Sequence, residues 1–128
     1  MSQVRIYGHR EALAASRGAI SDAVHSCLMD ALGLPETKRF QRFFLMDSED
    51  FIHPADRSER YTIIEVSMFS GRSAEAKRRL IQLLFERLEG IGIAPQDVEI
   101  TIFESPAANW GIRGVPADEL TLNYDVNV

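Results

Sequence analysis

The chain has 128 residues, of which 45% are hydrophobic and 26% are charged, proportions typical of a globular protein with one domain spanning 1–128. Its formal net charge of −5 disfavours a general nucleic-acid-binding protein, because such a protein needs a basic face for phosphates. No apolar run is long enough to cross a membrane. From the charge we therefore expect no nucleic-acid partner, and from the missing apolar run no membrane partner.

The first part of the chain predicts a strand, a helix and a second strand. Apolar and polar residues alternate over Gln3–Tyr7, which indicates a strand. From Glu11 apolar residues recur every three or four positions, predicting an amphipathic helix of about twenty residues. Gly33 is expected to end this helix as a left-handed cap, and Pro35 prevents its continuation. Arg39–Met46 is the second predicted strand.

The same order then returns. Tyr61–Phe69 is a predicted strand, Gly71 turns the chain, and Ser73 is the expected N-cap of a second helix. The apolar stripe of that helix comprises Leu80, Ile81, Leu84, Leu88 and Ile91. Val98–Glu104 is the fourth predicted strand. The two halves, about 1–46 and 61–104, therefore look like a duplicated β-α-β unit, followed by a loop and tail over 105–128.

A duplicated unit of this kind predicts an α/β (α+β) fold with a four-stranded mixed sheet. Each β-α-β crossover makes the strands of its own half parallel. Three strands carry one apolar face that two helices on the same side would cover. The opposite face mixes aromatic and polar side chains, which suits a subunit interface, although a solvent-exposed face remains the other interpretation.

Several segments carry a likeness to a known family. They are Asp56–Val66 (DRSERYTIIEV), Gly71–Leu80 (GRSAEAKRRL), Gly92–Ser105 (GIAPQDVEITIFES), Asn109–Gly114 (NWGIRG) and Leu122–Val126 (LNYDV). In order and spacing they resemble the tautomerase superfamily, specifically its malonate semialdehyde decarboxylase-like branch. The likeness is greatest to uncharacterised bacterial members that lack the amino-terminal proline. This resemblance implies a β-α-β-β-α-β subunit, a homotrimer and an active site at the strand ends near the subunit boundary.

The catalytic group of that family is an amino-terminal proline, which this chain lacks. Ser2 follows Met1, and the first proline is Pro35. The amine of Ser2, freed by removal of Met1, is therefore the remaining catalytic candidate, since an α-amine titrates near pH ~8 and needs little desolvation to become a base. A frayed strand end is the competing interpretation.

The resemblance keeps part of the binding site and alters the rest. Lys38 stands where the decarboxylase has an aspartate, and Ser70 replaces one arginine of a pair. Arg72 matches the other arginine, Trp110 matches the family's loop tryptophan, and Arg113 lies in the corresponding Arg-Gly segment. We therefore expect Arg72, Trp110 and Arg113 to bind substrate.

The residue types and their positions are compatible with an anion-binding site, and each residue also has an alternative interpretation. Arg72 follows Gly71 where a strand turns into a helix, and helix N-termini favour carboxylates; a surface arginine is the plainer alternative. Trp110 either walls a pocket or packs on its own subunit. Arg10, after Gly8-His9, is a weaker counterpart in the first half.

Cofactor, metal and localisation are inferred from what the sequence contains. His9, His25 and His53 show no ligand spacing, so we expect no metal and no cofactor. Cys27 is the lone cysteine and no signal-peptide h-region is visible, which favours the cytoplasm. The basic and aromatic run Lys38–Phe44 is expected to pack in the sheet rather than to bind RNA.

Three functional hypotheses follow. The first is an atypical enzyme acting on a small 2-oxo or 3-oxo carboxylate by proton transfer, hydration or decarboxylation; whether it is an enzyme at all stays open. The second is a non-catalytic trimeric module that binds an anionic metabolite. The third is a purely structural interaction trimer.

Overall fold

The computed structural model describes residues 1–128 and shows the predicted order of elements. The main elements are β1 (Ser2–His9), α1 (Arg10–Leu13), α2 (Arg17–Leu32), β2 (Gln41–Met46), β3 (Thr62–Phe69), α3 (Ala74–Glu89) and β4 (Val98–Ser105). A short hairpin follows, made of β5 (Gly111–Ile112) and β6 (Val115–Pro116). No helix combines the length and apolarity needed to span a membrane.

The sheet has the topology expected of a repeated unit. Its strand order is β2-β1-β3-β4, with parallel pairs inside each half and an antiparallel pair, β1 with β3, joining the halves. Ile6 lies opposite Ile64 in that central pair. The predicted four-stranded mixed sheet with a duplicated β-α-β unit is therefore confirmed.

The first helix differs from its prediction. It is not continuous, because a 3₁₀ turn over Ala14–Ser16 separates α1 from α2. Leu13 is fully buried, and its side chain fills the space above Gly8, where a Cβ would lie 2.1 Å from Leu13 Cδ1. The interruption keeps α1 against the end of β1 while α2 packs along α3.

The helix ends follow the local signals. Gly33 ends α2 with a φ of 70°, the left-handed cap that its glycine allows. Ser73 caps α3, where its hydroxyl accepts a hydrogen bond from the Ala76 N–H at 3.1 Å. Both caps are confirmed, and the second fixes the turn in which Arg72 lies.

The two faces of the sheet have different environments. One face joins α2 and α3 in a single apolar core that includes Val4, Ile64 and Leu84. On the other face Phe44 and Phe103 remain 39% and 46% exposed. Arg5 crosses this open face, where it donates to Glu65 at 3.1 Å and lies over the Phe103 ring.

Candidate active site

Three strand ends meet at one end of the sheet. Ser2 at the start of β1 pairs with Met68 near the end of β3, because these strands are antiparallel. Phe69 at the end of β3 pairs with Ser105 at the end of β4, because these strands are parallel. The chain start, the turn into α3 and the loop after β4 therefore lie together.

Arg72 occupies the turn between β3 and α3. Gly71 before it has a φ of 132°, a backbone conformation that favours glycine. Ser73 after it is the N-cap of α3. The side chain of Arg72 is only 5% exposed, so it is not the surface arginine that the plainer alternative assumed.

The guanidinium of Arg72 has unused hydrogen-bonding capacity. Its Nη1 donates to the Phe69 carbonyl at 3.2 Å, whereas Nε and Nη2 are buried without a partner. These two nitrogens form one edge of the guanidinium, the edge that holds a carboxylate in a bidentate pair. Burial lowers the pKa of Arg72, and the charges of Glu104 and Asp125 partly offset this effect. A buried cation with free donors is costly unless an anion joins it.

The amine at the chain start is perturbed by the same surroundings. The Met1 amine is hydrogen-bonded to the Tyr124 hydroxyl. Burial, then the charge of Arg72 and then that of Lys38, lower the pKa of this amine from its ordinary value of 8.0 to about 5. The amine is therefore neutral at pH 7, which makes it a base and a nucleophile.

A cavity of about 150 Å³ opens beside this amine. Met1, Lys38 and Arg113 line it together with the tail residues 121–124. Two side-chain cations thus face a neutral amine in a small, partly enclosed space. Such an arrangement favours a small anion over a neutral ligand.

Arg113 reaches this cavity because of the turn in which it lies. The hairpin of β5 and β6 pairs Ile112 with Val115 and leaves Arg113 and Gly114 as a two-residue turn. Their φ values of 52° and 86° are those of a type I′ turn. Gly114 adopts this conformation freely, and Arg113 is the only non-glycine residue of the chain with a positive φ.

Neither Trp110 nor Arg72 is among the residues that line the cavity. Its indole N–H donates to the Ser105 hydroxyl at 2.9 Å. Its ring meets the Phe69 ring edge to face at a centroid distance of 5.1 Å, and Phe69 is the residue whose carbonyl holds Arg72. Within one chain, Trp110 therefore packs on its own subunit and contacts Phe69, whose carbonyl accepts a hydrogen bond from Arg72.

Ser2 and Arg10 have other surroundings. Ser2 is 3% exposed as the first residue of β1, so a frayed strand end is wrong, and the amine of the described chain belongs to Met1. Arg10 forms an ion pair with Asp47 and donates to the Leu45 carbonyl at 2.8 Å. The counterpart of Arg72 in the first half is thus already paired.

Two further residues enter the site that sequence reasoning did not propose for it. Lys38 was noted only as a departure from the family pattern, yet it lines the cavity and acts on the amine. Tyr124 comes from the tail, where no periodicity locates a side chain. The signals in the sequence were the charge reversal at position 38 and the likeness of Leu122–Val126, which contains Tyr124.

The strand order and the two β-α-β units are those of the tautomerase fold. A family model described as "Tautomerase enzyme" matches residues 38–113, more than half of the chain. The probable tautomerase RSp0893 of Ralstonia nicotianae is 40% identical over 55 residues, 42% of this chain and 79% of that protein. The 2-hydroxymuconate tautomerase of Comamonas testosteroni is 39% identical over 57 residues, 44% of this chain and 90% of that protein.

Solved structures show the same likeness along most of the chain. The FG41 malonate semialdehyde decarboxylase, inhibited by 3-bromopropiolate, is 33% identical with a TM-score of 0.81, covering 94% of this chain and 98% of that one. The R7 fused 4-OT, an asymmetric trimer, shares the fold at 17% identity, with a TM-score of 0.80 and 91% and 96% coverage. This chain belongs to the tautomerase superfamily, in its malonate semialdehyde decarboxylase-like branch.

Proposed function

We propose that this protein is a tautomerase-type enzyme that binds a small 2-oxo or 3-oxo carboxylate and catalyses proton transfer, hydration or decarboxylation. One observation carries the proposal: Arg72 is buried with a free bidentate edge, and burial together with the charge of this arginine lowers the pKa of the chain-start amine to about 5. The arginine, Arg72, supplies a seat for the carboxylate. The amine supplies a neutral base at physiological pH.

The binding roles follow from the geometry. The Nε and Nη2 edge of Arg72 pairs with the substrate carboxylate. Arg113 and Lys38 provide positive charge near the carbonyl oxygen, where an enolate forms when a proton is removed or when carbon dioxide leaves. Trp110 holds Phe69 in place and so fixes the carbonyl that orients Arg72.

The catalytic role falls to the amine at the chain start. A primary amine of this pKa removes a proton from the carbon next to a carbonyl, or from a water that adds to the substrate. It belongs to Met1 in the described chain and to Ser2 if Met1 is removed. General bases contribute about 10²–10⁴ in rate, which is the size of the effect expected from this amine.

The names of the relatives supply the first substrates to assay. The 2-hydroxymuconate tautomerase suggests an enol-to-keto conversion, and the malonate semialdehyde decarboxylase suggests loss of carbon dioxide from a 3-oxo acid. Both compounds are small carboxylates of the kind that Arg72 would hold. Pyruvate enol is a shorter probe of the same proton transfer.

The decisive variant is Arg72→Ala, with Arg10→Ala as its matched control. Loss of the bidentate pair should lower kcat/KM for the active substrate by about 10–100-fold, because charge-assisted hydrogen bonds contribute about 1.5–3 kcal/mol. Arg10 is paired with Asp47, away from the site, so its removal should leave kcat/KM within about twofold. Steady-state kinetics of both variants measure the difference, and equal rates in Arg72→Ala and wild type would refute the proposal.

A non-catalytic binding module is the second candidate. The missing proline and Lys38 in place of the family's aspartate favour it. Its signature is saturable binding of an oxo-carboxylate, with a rise in unfolding free energy of about 2.7 kcal/mol at a hundred times Kd, and no turnover of any substrate in the panel. Turnover that depends on Arg72 excludes it.

We also propose that the chain assembles as a homotrimer through the open face of the sheet. Exposed Phe44 and Phe103 lie on that face among polar groups, a composition typical of subunit interfaces. Fused 4-OT proteins of the same fold are described as trimers. An interface there would bring a second subunit near the strand ends where the candidate site lies.

A further inference from the structure

Two histidines meet at the end of the sheet opposite the candidate active site. His9 is the last residue of β1 and is 7% exposed, and His53 lies in the connection between β2 and β3. Their Nε2 atoms are 2.8 Å apart, although the residues are 44 positions apart in the sequence. The absence of ligand spacing in the sequence therefore says nothing about their proximity.

The surroundings fix which nitrogen carries each proton. The His53 Nδ1 is 3.0 Å from the Pro54 carbonyl, which can only accept, so Nδ1 is protonated and Nε2 carries a lone pair. The His9 Nε2–H therefore donates to His53. Nδ1 of His9 is buried without a partner.

Two aromatic rings hold the pair in place. Phe51 lies 5.0 Å from the His9 ring, and Tyr61 lies 4.8 Å from the His53 ring, measured between centroids. Phe51 and Tyr61 also stack on each other at 5.4 Å. These packed rings keep the two imidazole nitrogens close to each other.

We propose that His9 and His53 form a binding site for one divalent late-transition-metal ion, of the Cu²⁺ or Zn²⁺ class. Imidazole nitrogens about 2.0–2.1 Å from one metal lie roughly 2.9 Å apart in square-planar geometry and roughly 3.3 Å apart in tetrahedral geometry. The observed 2.8 Å is close to the square-planar spacing, and both rings would have to turn from the hydrogen-bonded arrangement so that their lone pairs meet at one ion.

Metal binding would need no net change in the protonation of the pair. The His9 proton moves from Nε2 to Nδ1, so each ring keeps one proton, and the ion binds the two Nε2 lone pairs from a position off the line that joins these nitrogens. The Pro54 carbonyl already holds the outer N–H of His53, which is the usual support of a metal-binding histidine. Water would supply the remaining ligands.

Cu²⁺ is the sharpest probe because bound nitrogen is visible in its EPR spectrum. Untagged protein should bind one Cu²⁺ per chain by calorimetric titration, with superhyperfine structure from two imidazole nitrogens. His53→Ala should weaken binding at least tenfold. A Glu49→Gln/Asp50→Asn variant, which removes two members of the exposed carboxylate cluster with Asp47, should bind as wild type does.

Three results would overturn this site: no saturable binding, an EPR spectrum without two imidazole nitrogen ligands, or unchanged affinity in His53→Ala. The wild-type spectrum decides the question even if His53→Ala does not fold. The site lies away from Arg72, so its failure leaves the proposed enzymatic function untouched.

Discussion

Arg72 and Arg10 show how one residue type at corresponding places can serve different purposes. Arg10 directly follows β1, and Arg72 lies in the turn after β3, the two central strands of the sheet. Arg10 is neutralised by Asp47, whereas Arg72 is buried with two nitrogens free. The difference lies in the partners, which come from distant parts of the chain.

Gly71 is the residue whose substitution should most directly disturb the site. A Cβ there would lie 2.9 Å from Asn127 Oδ1 and 3.1 Å from the Val126 carbonyl, and its φ of +132° strains any other residue. We expect Gly71→Ala to lower the free energy of unfolding by about 1–3 kcal/mol, measured by urea denaturation.

Gly18 in α2 is the matched control for that substitution. No heavy atom lies within 4 Å of the position of its added Cβ. Gly18→Ala should therefore raise the free energy of unfolding by about 0.4–1 kcal/mol, through helix propensity and the unfolded state. Wild-type stability in Gly71→Ala would show that the tail does not lie against this turn.

The predictability of the site residues depends on how local their signals are. The location of Arg72 could be predicted, because Gly71 and Ser73 specify a strand–turn–helix junction by short-range chemistry. Tyr124 could not, because its position depends on how an aperiodic tail packs against the chain start. Trp110 was placed correctly in a loop, but its partner Phe69 lies in another strand.

At the scale of elements, periodicity predicted the strands well and the first helix incompletely. Alternation located β3 and β4 to within one residue at each end. The first helix breaks at Ala14–Ser16, where Leu13 packs over Gly8. This is a tertiary contact, which helical periodicity does not show. The parallel pairs followed from the β-α-β connections, which leave few alternatives.

The C-terminal tail is the element with the greatest influence on the amine. Residues 121–124 line the cavity, and Tyr124 contacts the amine itself. The tail continues over Gly71, and the Ser73 hydroxyl donates to the Val128 carbonyl at 3.0 Å. Burial is the largest cause of the low amine pKa, so the tail contributes to that shift.

Deleting residues 121–128 should therefore move the pH dependence of activity. In the full chain the amine is protonated below about pH 5, so kcat/KM should fall as the pH falls through that value and stay level above it. Without the tail the amine is better solvated, and its pKa should rise toward 8.0. The acidic limb should then shift to higher pH; identical pH profiles would contradict the role given to the tail.

At the scale of the whole molecule, the two faces of the sheet have different roles. The helix-covered face forms the core, and the open face exposes Phe103 at 46% and Phe44 at 39%. Binary patterning showed this division in the sequence. It could not show whether a second chain covers the open face, because the same pattern also fits a face in contact with water.

Phe103→Glu tests the open face as a subunit interface. Replacing the aromatic ring with a charged side chain removes apolar contact area and adds a desolvation cost at the interface, which should convert the trimer to monomers, as measured by light scattering after gel filtration. Ile52→Glu is the control, since Ile52 is 90% exposed in the connection between β2 and β3 and should not alter the assembly. A monomeric wild type, or a trimer that Phe103→Glu leaves intact, would contradict the proposed interface.

The most direct test of the central claim is the pKa of the chain-start amine, measured by ¹⁵N NMR titration in the wild type and in Arg72→Ala. We expect a pKa of about 5 for the amine in the wild type. We expect a higher pKa in Arg72→Ala, because that variant loses a neighbouring positive charge. A wild-type pKa near 8.0, unchanged by the substitution, would contradict it.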